Sequence, residues 1–513
     1  MLQWYESNAH SDAQDYSRSG VVIWPLQRAP DSVWRHEAAE LLHYFQQMLE
    51  PDTTSQANID TIAAISTPPG RGGIGIVRLS GPEAASIAVQ LVSLRQPLEH
   101  GRARLADVLD DADSKAVQAE GARIDEALVT FFATPNSYTA EDVVEIAAHG
   151  SPVVLELLLR RALDKGARLA EPGEFTQRAF LSGRLDLTQA EAVRDLIEAQ
   201  TLTQARLAAS QMGGALSRRV APVKQSLVEL IALLEAGVDF AEDDVDVAPQ
   251  AEIALRIGTL TPPLTALEAS FARGRIVHDG LSLAIVGRPN AGKSSLFNRL
   301  VERDRAIVTA TPGTTRDTVT ERISLDGIPL ELVDTAGLRE SLEEAEQLGI
   351  RRSREALADA ALVLVVLDAT QALNDEELRL LEAVQGRPAL VAINKSDLSE
   401  FCTPGGEIAG ISALPTSALS GEGIPALRER ILALATGGAA SEPGMLTSLR
   451  HHQAIATTLS ALADAAQANA NSIPHEMILL DLYRALWALD SLTGQTTSDD
   501  ILNLIFSTFC IGK

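Results

Sequence analysis

Gly287-Arg288-Pro289-Asn290-Ala291-Gly292-Lys293-Ser294 reads G-x-x-x-x-G-K-S, the spacing of a phosphate-binding loop. Leu281-Ser282-Leu283-Ala284-Ile285-Val286 precedes it, a short apolar run of strand type. Ser295-Leu296-Phe297-Asn298-Arg299-Leu300 comes next, with apolar residues at helical spacing. Strand, glycine loop and helix in that order predict an α/β unit. Its backbone N–H groups curl around phosphate oxygens, and a helix N-terminus adds positive potential there. In that arrangement Lys293 neutralises the β- and γ-phosphates and the Ser294 hydroxyl ligates Mg²⁺. The plain alternative, a glycine turn before an ordinary helix, explains none of the motifs downstream.

Leu330-Glu331-Leu332-Val333 is a second strand-like run, and it ends at Asp334-Thr335-Ala336-Gly337. An Asp at a strand end can hold Mg²⁺ through water, and the glycine can give its N–H to a γ-phosphate. Ala389-Leu390-Val391-Ala392-Ile393 runs into Asn394-Lys395-Ser396-Asp397. This N-K-x-D pattern reads guanine. The Asp397 carboxylate accepts from the ring N1–H and the exocyclic amine, which adenine does not offer together. One unmatched polar pair costs ~1–3 kcal/mol, so the expected substrate is GTP rather than ATP. Ser417-Ala418-Leu419 fits the short loop that backs the base. Between the P-loop and D-T-A-G, Ile307 to Asp317 is the place for a switch loop, with Thr315 as the second Mg²⁺ hydroxyl. The position after D-T-A-G is Leu338, where the commonest small GTPases carry a water-orienting Gln. No arginine finger is identifiable, and such a finger is worth about 10³–10⁵ in rate.

G-R-P-N-A-G-K-S-S with T-P-G-T-T-R-D, D-T-A-G-L-R and the terminal Phe509-Cys510-Ile511-Gly512-Lys513 resembles the MnmE (TrmE) family of tRNA-modification GTPases, over roughly residues 59–513. The resemblance implies a K⁺ ion in place of the arginine finger, held by Asn290, Thr309, Thr311 and Thr314. It implies Glu346 as the residue that orients water, with Lys293 as its catalytic companion. GTP-binding positions carried over are Asn290, Ala291, Gly292, Lys293, Ser294, Ser295, Thr309, Thr314, Thr315, Asp334, Thr335, Ala336, Gly337, Asn394, Lys395, Asp397, Ser417, Ala418 and Leu419. Pro312 stands where many members have a small residue, and it fixes φ and removes an N–H. The resemblance also implies that the N-terminal domain binds a tetrahydrofolate derivative at a dimer interface, through Arg78, Glu145, Arg184 and Lys513. Arg184 stands where many relatives have Lys. Cys510 becomes a possible functional thiol, against the common case of an inert core cysteine.

The chain has 513 residues, 43 basic and 69 acidic, for a net charge of −26. That balance argues against a broad nucleic-acid surface, since such surfaces are basic. If tRNA is the substrate, its contacts are local or shared with a partner. Two cysteines, Cys402 and Cys510, give no disulfide framework. The longest apolar run, Ala360 to Leu367, falls far short of the ~20 residues that cross a bilayer. The expectation is a soluble, cytoplasmic protein with no membrane association.

Residues 1–57 are set apart. Three of four tryptophans and three of five tyrosines lie in the first 44 residues. The segment has no secretory pattern, is too acidic for a mitochondrial presequence, and lies outside the resemblance. From Ile59 the texture becomes regular. Strands are expected at Thr61–Ser66, Ile74–Ser80 and Ala127–Phe132, a helix opening at Pro82, and another strand at Val143–Ala147. The turn His149-Gly150-Ser151-Pro152 then leads into a helix to about Leu163. Arg71 among its glycines is open to two readings, an anion cradle or a tight hairpin. Glu145 and His149 sit four apart, but strand followed by turn is no metal site without further ligands. Helices are expected at Asp186–Ala199, Ala205–Leu216 and Pro222–Gly237, as a bundle. The acidic stretch Asp239–Asp246 lacks calcium-loop spacing and reads as a solvated helix end.

The resulting expectation is multidomain. It comprises an α+β folate-binding-like dimerisation domain (58–183), an all-α helical domain in two parts (184–277 and 441–513) and an inserted α/β P-loop GTPase domain (278–437) held on two linkers. The resemblance implies a GTP-hydrolysing enzyme that modifies C5 of the wobble uridine of certain tRNAs with a tetrahydrofolate one-carbon donor. It implies a homodimer in a heterotetramer with an FAD-dependent, MnmG-like partner. No G-x-G-x-x-G opens a β-α-β unit here, so flavin chemistry is left to that partner. The other reading is a regulatory or ribosome-assembly GTPase switch, which needs neither the N-terminal domain nor the Cys-Ile-Gly-Lys tail.

Overall fold

A computed structural model of the protein describes residues 60–109, 123–239, 249–301, 320–334, 360–398, 406–436, 443–495, 502 and 505–512. Residues 1–59 and the acidic stretch after Asp239, within the gap 240–248, lie outside them.

The first sheet grows from strands rich in Val, Ile and Ala with period-two burial. Its strands are β1 (Ile62–Ile65), β2 (Gly72–Ser80), β3 (Ser93–Leu94), β4 (Ala103–Leu109), β5 (Arg123–Phe132), β6 (Val143–Gly150) and β7 (Arg168–Leu169). Their order is β3-β4-β5-β6-β2-β1-β7, antiparallel except for the parallel β1–β7 pair. Helices α1 (Ala84–Leu91) and α2 (Pro152–Asp164) cover one face, where Val77, Leu79, Val129, Ile146, Leu155 and Leu158 form the core. Two local expectations change. The strand continues through His149 to Gly150, because Gly150 pairs with Gly72 across the sheet. The helix after Pro82 begins only at Ala84.

Helix α3 (Glu174–Leu181) leads into the helical region: α4 (Leu187–Glu198), α5 (Leu202–Met212), α6 (Ala215–Asp239) and α7 (Gln250–Asp279). Capping boxes fix two starts, Asp186 with Gln189 and Thr201 with Gln204. The break expected before Pro222 falls instead at Gly213-Gly214, and Pro222 lies inside α6. Helix α7 lies beyond the helices expected from the sequence, and Pro262 and Pro263 fall in its interior. It is helical all the same, with Ile253, Ile257, Leu260, Leu264 and Leu267 buried as one stripe. Both prolines are exposed, so the carbonyls they leave unbonded can face water.

The second sheet follows α7 after Gly280 alone. It holds β8 (Leu281–Val286), helix α8 (Lys293–Val301), β9 (Thr320–Leu325), β10 (Ile328–Asp334), β11 (Leu362–Asp368), helix α9 (Asp375–Ala383), β12 (Ala389–Asn394), β13 (Gly406–Ile408), β14 (Ile411–Pro415) and helix α10 (Ile424–Thr436). The order is β13-β14-β12-β11-β8-β10-β9. The five inner strands are parallel and both edge pairs antiparallel. Strand β11 is buried along its whole length, the pattern of a central parallel strand covered on both faces.

The chain then returns to the helices with α11 (Leu449–Ala470) and α12 (His475–Thr493). Leu216, Leu227, Leu230 and Leu234 of α6 share a core with Ile253 and Leu264 of α7, Ile455 of α11, and Leu482 and Leu489 of α12. One four-helix core is thus built from segments on either side of the second sheet. A buried ion cluster stitches α4 to α11: Arg450 Nε to Glu191 Oε1 at 2.9 Å and His451 Nε2 to Glu191 Oε2 at 2.6 Å. On its N-terminal side the sheet domain is not held by a loose linker. Helix α7 runs to the sheet, Thr201 Oγ1 donates to the Gly327 carbonyl at 2.7 Å, and Gln204 Nε2 donates to the His278 carbonyl at 2.6 Å. Among the described residues no helix is long and apolar enough to cross a membrane. The architecture is multidomain: an α+β sheet domain, an all-α bundle and an inserted α/β domain.

Candidate functional site

The P-loop joins the end of β8 to α8. Asn290 lies at its tip with φ +63, and Gly292 has φ +91. A side chain at Gly292 does not fit, because its Cβ would stand 2.1 Å from Asn394 Nδ2. Asn394 closes β12 and is 2 % exposed. Its Nδ2 donates to the Ala291 carbonyl at 2.9 Å, and its Oδ1 accepts from the Ala418 N–H at 3.0 Å. One side chain therefore ties the phosphate loop, the N-K-x-D loop and the Ser417-Ala418-Leu419 loop together. Lys293 Nζ folds back onto the carbonyls of Gly287 (2.7 Å) and Arg288 (2.9 Å). Ser294 and Ser295 lie in the first turn of α8, where a hydroxyl can reach a cation beside a phosphate.

Lys395 follows β12 with φ +64, a left-handed conformation that a non-glycine residue rarely keeps without support. That support is Asp368, the last residue of β11, whose Oδ2 receives Lys395 Nζ at 2.7 Å. Asp368 Oδ1 accepts from the Thr370 backbone N–H and hydroxyl at 3.0 and 2.6 Å. Burial alone would raise the Asp368 carboxyl, but the bonds from Lys395 and Thr370 outweigh it and hold it down at about 2. Asp397 is exposed in the short 3-10 turn Ser396–Leu398. Ser417 is buried and Leu419 is 83 % exposed.

The structure brings Asn290 through Ser295 and Asn394 through Asp397, with Ser417–Leu419, to the carboxyl ends of the parallel strands β8, β12 and β14, with β11 between the first two. That is where open α/β sheets bind ligands. Asp334 closes β10. Thr309, Thr311, Thr314, Thr315, Thr335, Ala336, Gly337 and Glu346 lie outside the described residues. Sequence reading missed Asp368, Glu377 and Arg288. An Asp ending an apolar strand, as in Leu362–Asp368, is the signal that could have found the first.

A second site lies on the open side of the first sheet. A cavity of about 920 Å³ is lined by Arg78, Glu145, Tyr138, Arg184, Ile197 and Gly512, among others. Arg78 and Glu145 face each other across β2 and β6. Glu145 Oε1 takes both bonds, from Nε at 3.0 Å and Nη2 at 2.8 Å. Arg78 also reaches the Gly512 carbonyl at 3.5 Å. Its guanidinium lies over the Tyr138 ring at 5.7 Å and over Phe175 at 5.5 Å. The Arg184 guanidinium also lies over Tyr138, 5.2 Å from the ring centroid, and donates to the Tyr138 carbonyl at 2.8 Å. Tyr138 was not singled out in the sequence, although it directly follows the Thr134–Ser137 turn. Cys510 is exposed, and the backbone beside it pairs with Pro172. Lys513 lies outside the described residues. His149 Nδ1 binds Asp125 at 2.6 Å, and among the described residues no His, Cys, Asp and Glu cluster could hold a metal.

Glycine loop, parallel sheet and N-K-x-D turn define a P-loop GTPase. Comparison with known proteins narrows the class. Residues 61–184 match the family model for the GTP-binding protein TrmE N-terminus, and residues 187–510 match that for the MnmE helical domain. The tRNA modification GTPase MnmE of Koribacter versatilis (strain Ellin345) is 58 % identical over 459 residues, covering 88 % of this chain and 99 % of that protein. The same protein from Natranaerobius thermophilus is 41 % identical over 460 residues, with the same coverage. The chain therefore belongs to the MnmE family of tRNA modification GTPases. Among solved structures, the G domain of the T. maritima FeoB iron transporter covers 30 % of this chain and 98 % of its own at 27 % identity. Its TM-score of 0.23 is too low to support any argument.

Proposed function

We propose that this GTPase drives modification at C5 of the wobble uridine (position 34) of certain tRNAs, to a (carboxymethyl)aminomethyl-type group. The one-carbon unit comes from a tetrahydrofolate derivative, and redox chemistry comes from an FAD-dependent, MnmG-like partner in the cytoplasm. We divide the chain into the extension 1–57, a folate-binding and dimerisation domain at 58–183, a helical domain at 184–277 and 441–513, and the GTPase domain at 278–437.

The observation that carries this reading is the cavity around Arg78, Glu145 and Arg184. A folate presents a glutamate tail for a guanidinium and a pterin amide edge for a carboxylate. Among the described residues Glu145 meets Arg78 through Oε1 alone, and Oε2 is the oxygen that suits such an edge. Arg184 in the cavity wall suits the tail, and Lys513 is the next residue after Gly512 of the same wall. Cys510 is a candidate thiol for the same site. The C5 carbon needs a one-carbon unit, and a folate bound here would supply it at the methylene level. A homodimer is supported by the same sheet face. Leu105, Leu128 and Ile76 stand in one cross-strand row beside the Arg78–Glu145 pair, and Leu105 and Leu128 are 40 % and 48 % exposed.

In the nucleotide site, Lys293 turns from the loop carbonyls to the β- and γ-phosphates, and Asp397 reads the guanine edge. Ser294 and Thr315 would hold Mg²⁺. Asn290, Thr309, Thr311 and Thr314 would hold K⁺ where other GTPases place an arginine, and Glu346 orients the attacking water. The test combines the purified chain, its flavin-dependent partner, GTP, tRNA and tetrahydrofolate labelled at the transferred carbon. Label entering U34 is expected. Absence of label, with tRNA modified from another donor, removes the folate reading. No folate binding at all favours a regulatory switch. GTP turnover in KCl against NaCl at equal ionic strength tests the K⁺ assignment, and equal rates would remove it.

A further inference from the structure

Behind the nucleotide site runs an alternating chain of four charges. Glu377 Oε1 lies 3.2 Å from Arg288 Nε, Arg288 Nη2 lies 3.8 Å from Asp368 Oδ2, and the same Oδ2 lies 2.7 Å from Lys395 Nζ. The side chains of Asp368 and Glu377 are each 2 % exposed. Arg288 belongs to the phosphate loop and Lys395 to the guanine loop. Glu377 is fixed from its other oxygen, which accepts the Asn374 N–H at 3.1 Å in the capping box of α9. Asp368 is fixed by Thr370 and by its place at the end of β11, where it is the strand neighbour of Asn394.

We propose that Asp368 is a positioning residue for guanine recognition. Through Lys395 it holds the left-handed turn that aims Asp397 two residues on, and through Arg288, which Glu377 braces, it sets that turn against the phosphate loop. Lys395 keeps φ +64, and a strained backbone persists only where its surroundings over-determine it. A buried carboxylate with two cationic partners is such a surrounding. Removing its charge leaves Arg288, with a side chain 12 % exposed, drawn to Glu377 alone of the two carboxylates, and leaves the Lys395 ammonium without the carboxylate charge that holds it. The guanine loop is then free to relax.

This inference rests on the reading of Asp397 as the guanine contact, so that reading is tested beside it. Inosine diphosphate lacks the exocyclic amine of guanine, and the ratio of GDP to IDP affinity therefore reports the aim of Asp397. Asp368→Asn in the full-length protein is expected to weaken GDP about tenfold, the worth of a charge-assisted bond. It should also lower the GDP-to-IDP preference about fivefold, a share of that loss which IDP does not suffer. Thr370→Val, at an exposed position, removes one bond to Asp368 and leaves the fold intact. It should lower the same ratio about twofold. An unchanged ratio in both variants overturns the proposal, whatever happens to thermal stability. A lowered melting temperature with the wild-type ratio does so too. Asp397→Asn separates the two claims, since an amide at that position favours xanthosine diphosphate over GDP. If that exchange of preference fails, the assignment of the guanine contact is wrong. If it succeeds while the Asp368→Asn ratio stays at its wild-type value, only the role of Asp368 is wrong.

Discussion

The nucleotide site and the cavity on the first sheet are built in opposite ways. In the inserted domain each loop is one short, contiguous string of residues, and parallel strands carry those strings to a common edge. In the N-terminal domain the cavity takes Arg78 from β2, Glu145 from β6, Arg184 from the segment after α3 and Gly512 from the far end of the chain. A local device depends first on backbone conformation, with a few buried side chains such as Asn394 to hold its loops together. A long-range device depends on the whole fold being closed first. The two sites should therefore fail differently when single residues are removed.

Lys293→Ala is the sharpest test of the local device. The ammonium binds loop carbonyls 5 and 6 residues away, so its loss leaves the fold closed. GTP turnover should fall about 10³-fold, as for removal of one preorganised group that stabilises transition-state charge. Melting temperature and folate binding give the contrast. A marked fall in stability would show that the P-loop, too, is structurally coupled to the rest.

Glu191→Gln tests closure of the split bundle. Burial would raise the Glu191 carboxyl, but His451 and Arg450 outweigh it and hold it down at about 2. A depressed folded pKa adds stability above the unfolded value of 4.5, and that stability is lost as pH falls toward about 2. The wild-type protein should therefore lose up to about 3 kcal/mol across that window through this group. The variant should lack that part of the pH dependence. Urea midpoints of both proteins from pH 5 to 2 measure it. Parallel curves would mean that the stitch between α4 and α11 contributes nothing.

Arg78→Ala tests the long-range site. The guanidinium binds Glu145, touches the C-terminal segment and lies over two rings, so both packing and charge go. Affinity for a tetrahydrofolate should fall about tenfold to thirtyfold, one or two charge-assisted bonds. Equilibrium dialysis with labelled folate measures it. A comparable loss of GDP affinity in the same protein would break the contrast between the two sites.

Legibility followed the same division. Glycine spacing, the N-K-x-D string and the runs before them could be read without tertiary knowledge, because their function needs only a backbone shape. The presence of strands and helices was readable for similar reasons, yet three details were not. Helix α7 passes through Pro262 and Pro263 because its buried stripe and solvent-facing prolines together outweigh a local penalty of ~3 kcal/mol. The helix break falls at Gly214 rather than at Pro222, because φ +79 marks a turn more firmly than a missing N–H. His149 belongs to a strand because its neighbour Gly150 finds Gly72 on β2, a pairing no local pattern announces. The buried ion chain of Glu377, Arg288, Asp368 and Lys395 was invisible for the same cause, since its members come from four separate segments. The cavity residues could be collected only through family resemblance, and Tyr138, on which Arg78 and Arg184 both lie, escaped it.

The smallest effect is expected where the two kinds of construction meet. His278 lies in the last turn of α7, beside the start of the sheet domain. Its Nε2 faces Asp195 of α4 at 3.2 Å and its Nδ1 faces Asp279 at 2.7 Å. The bond to Asp195 raises its pKa most, burial opposes, and Asp279 adds to the rise, for a value of about 9. A raised folded pKa gives stability that is fully present below the unfolded value of 6.5 and is lost as pH rises through about 9. The side chain is 31 % exposed, so solvent screening cuts the contribution to about 1 kcal/mol. His278→Gln should therefore be less stable than wild type at pH 6, with the gap closing by pH 10. If the joint between bundle and sheet domain is held mainly by Thr201 and Gln204 on the backbone of Gly327 and His278, the gap will be small at every pH. In that case the sheet domain is fixed to the bundle by neutral hydrogen bonds and helix continuity alone. If the gap follows the titration, the joint carries a charge of its own, and acidifying from pH 9 to 6.5 tightens it.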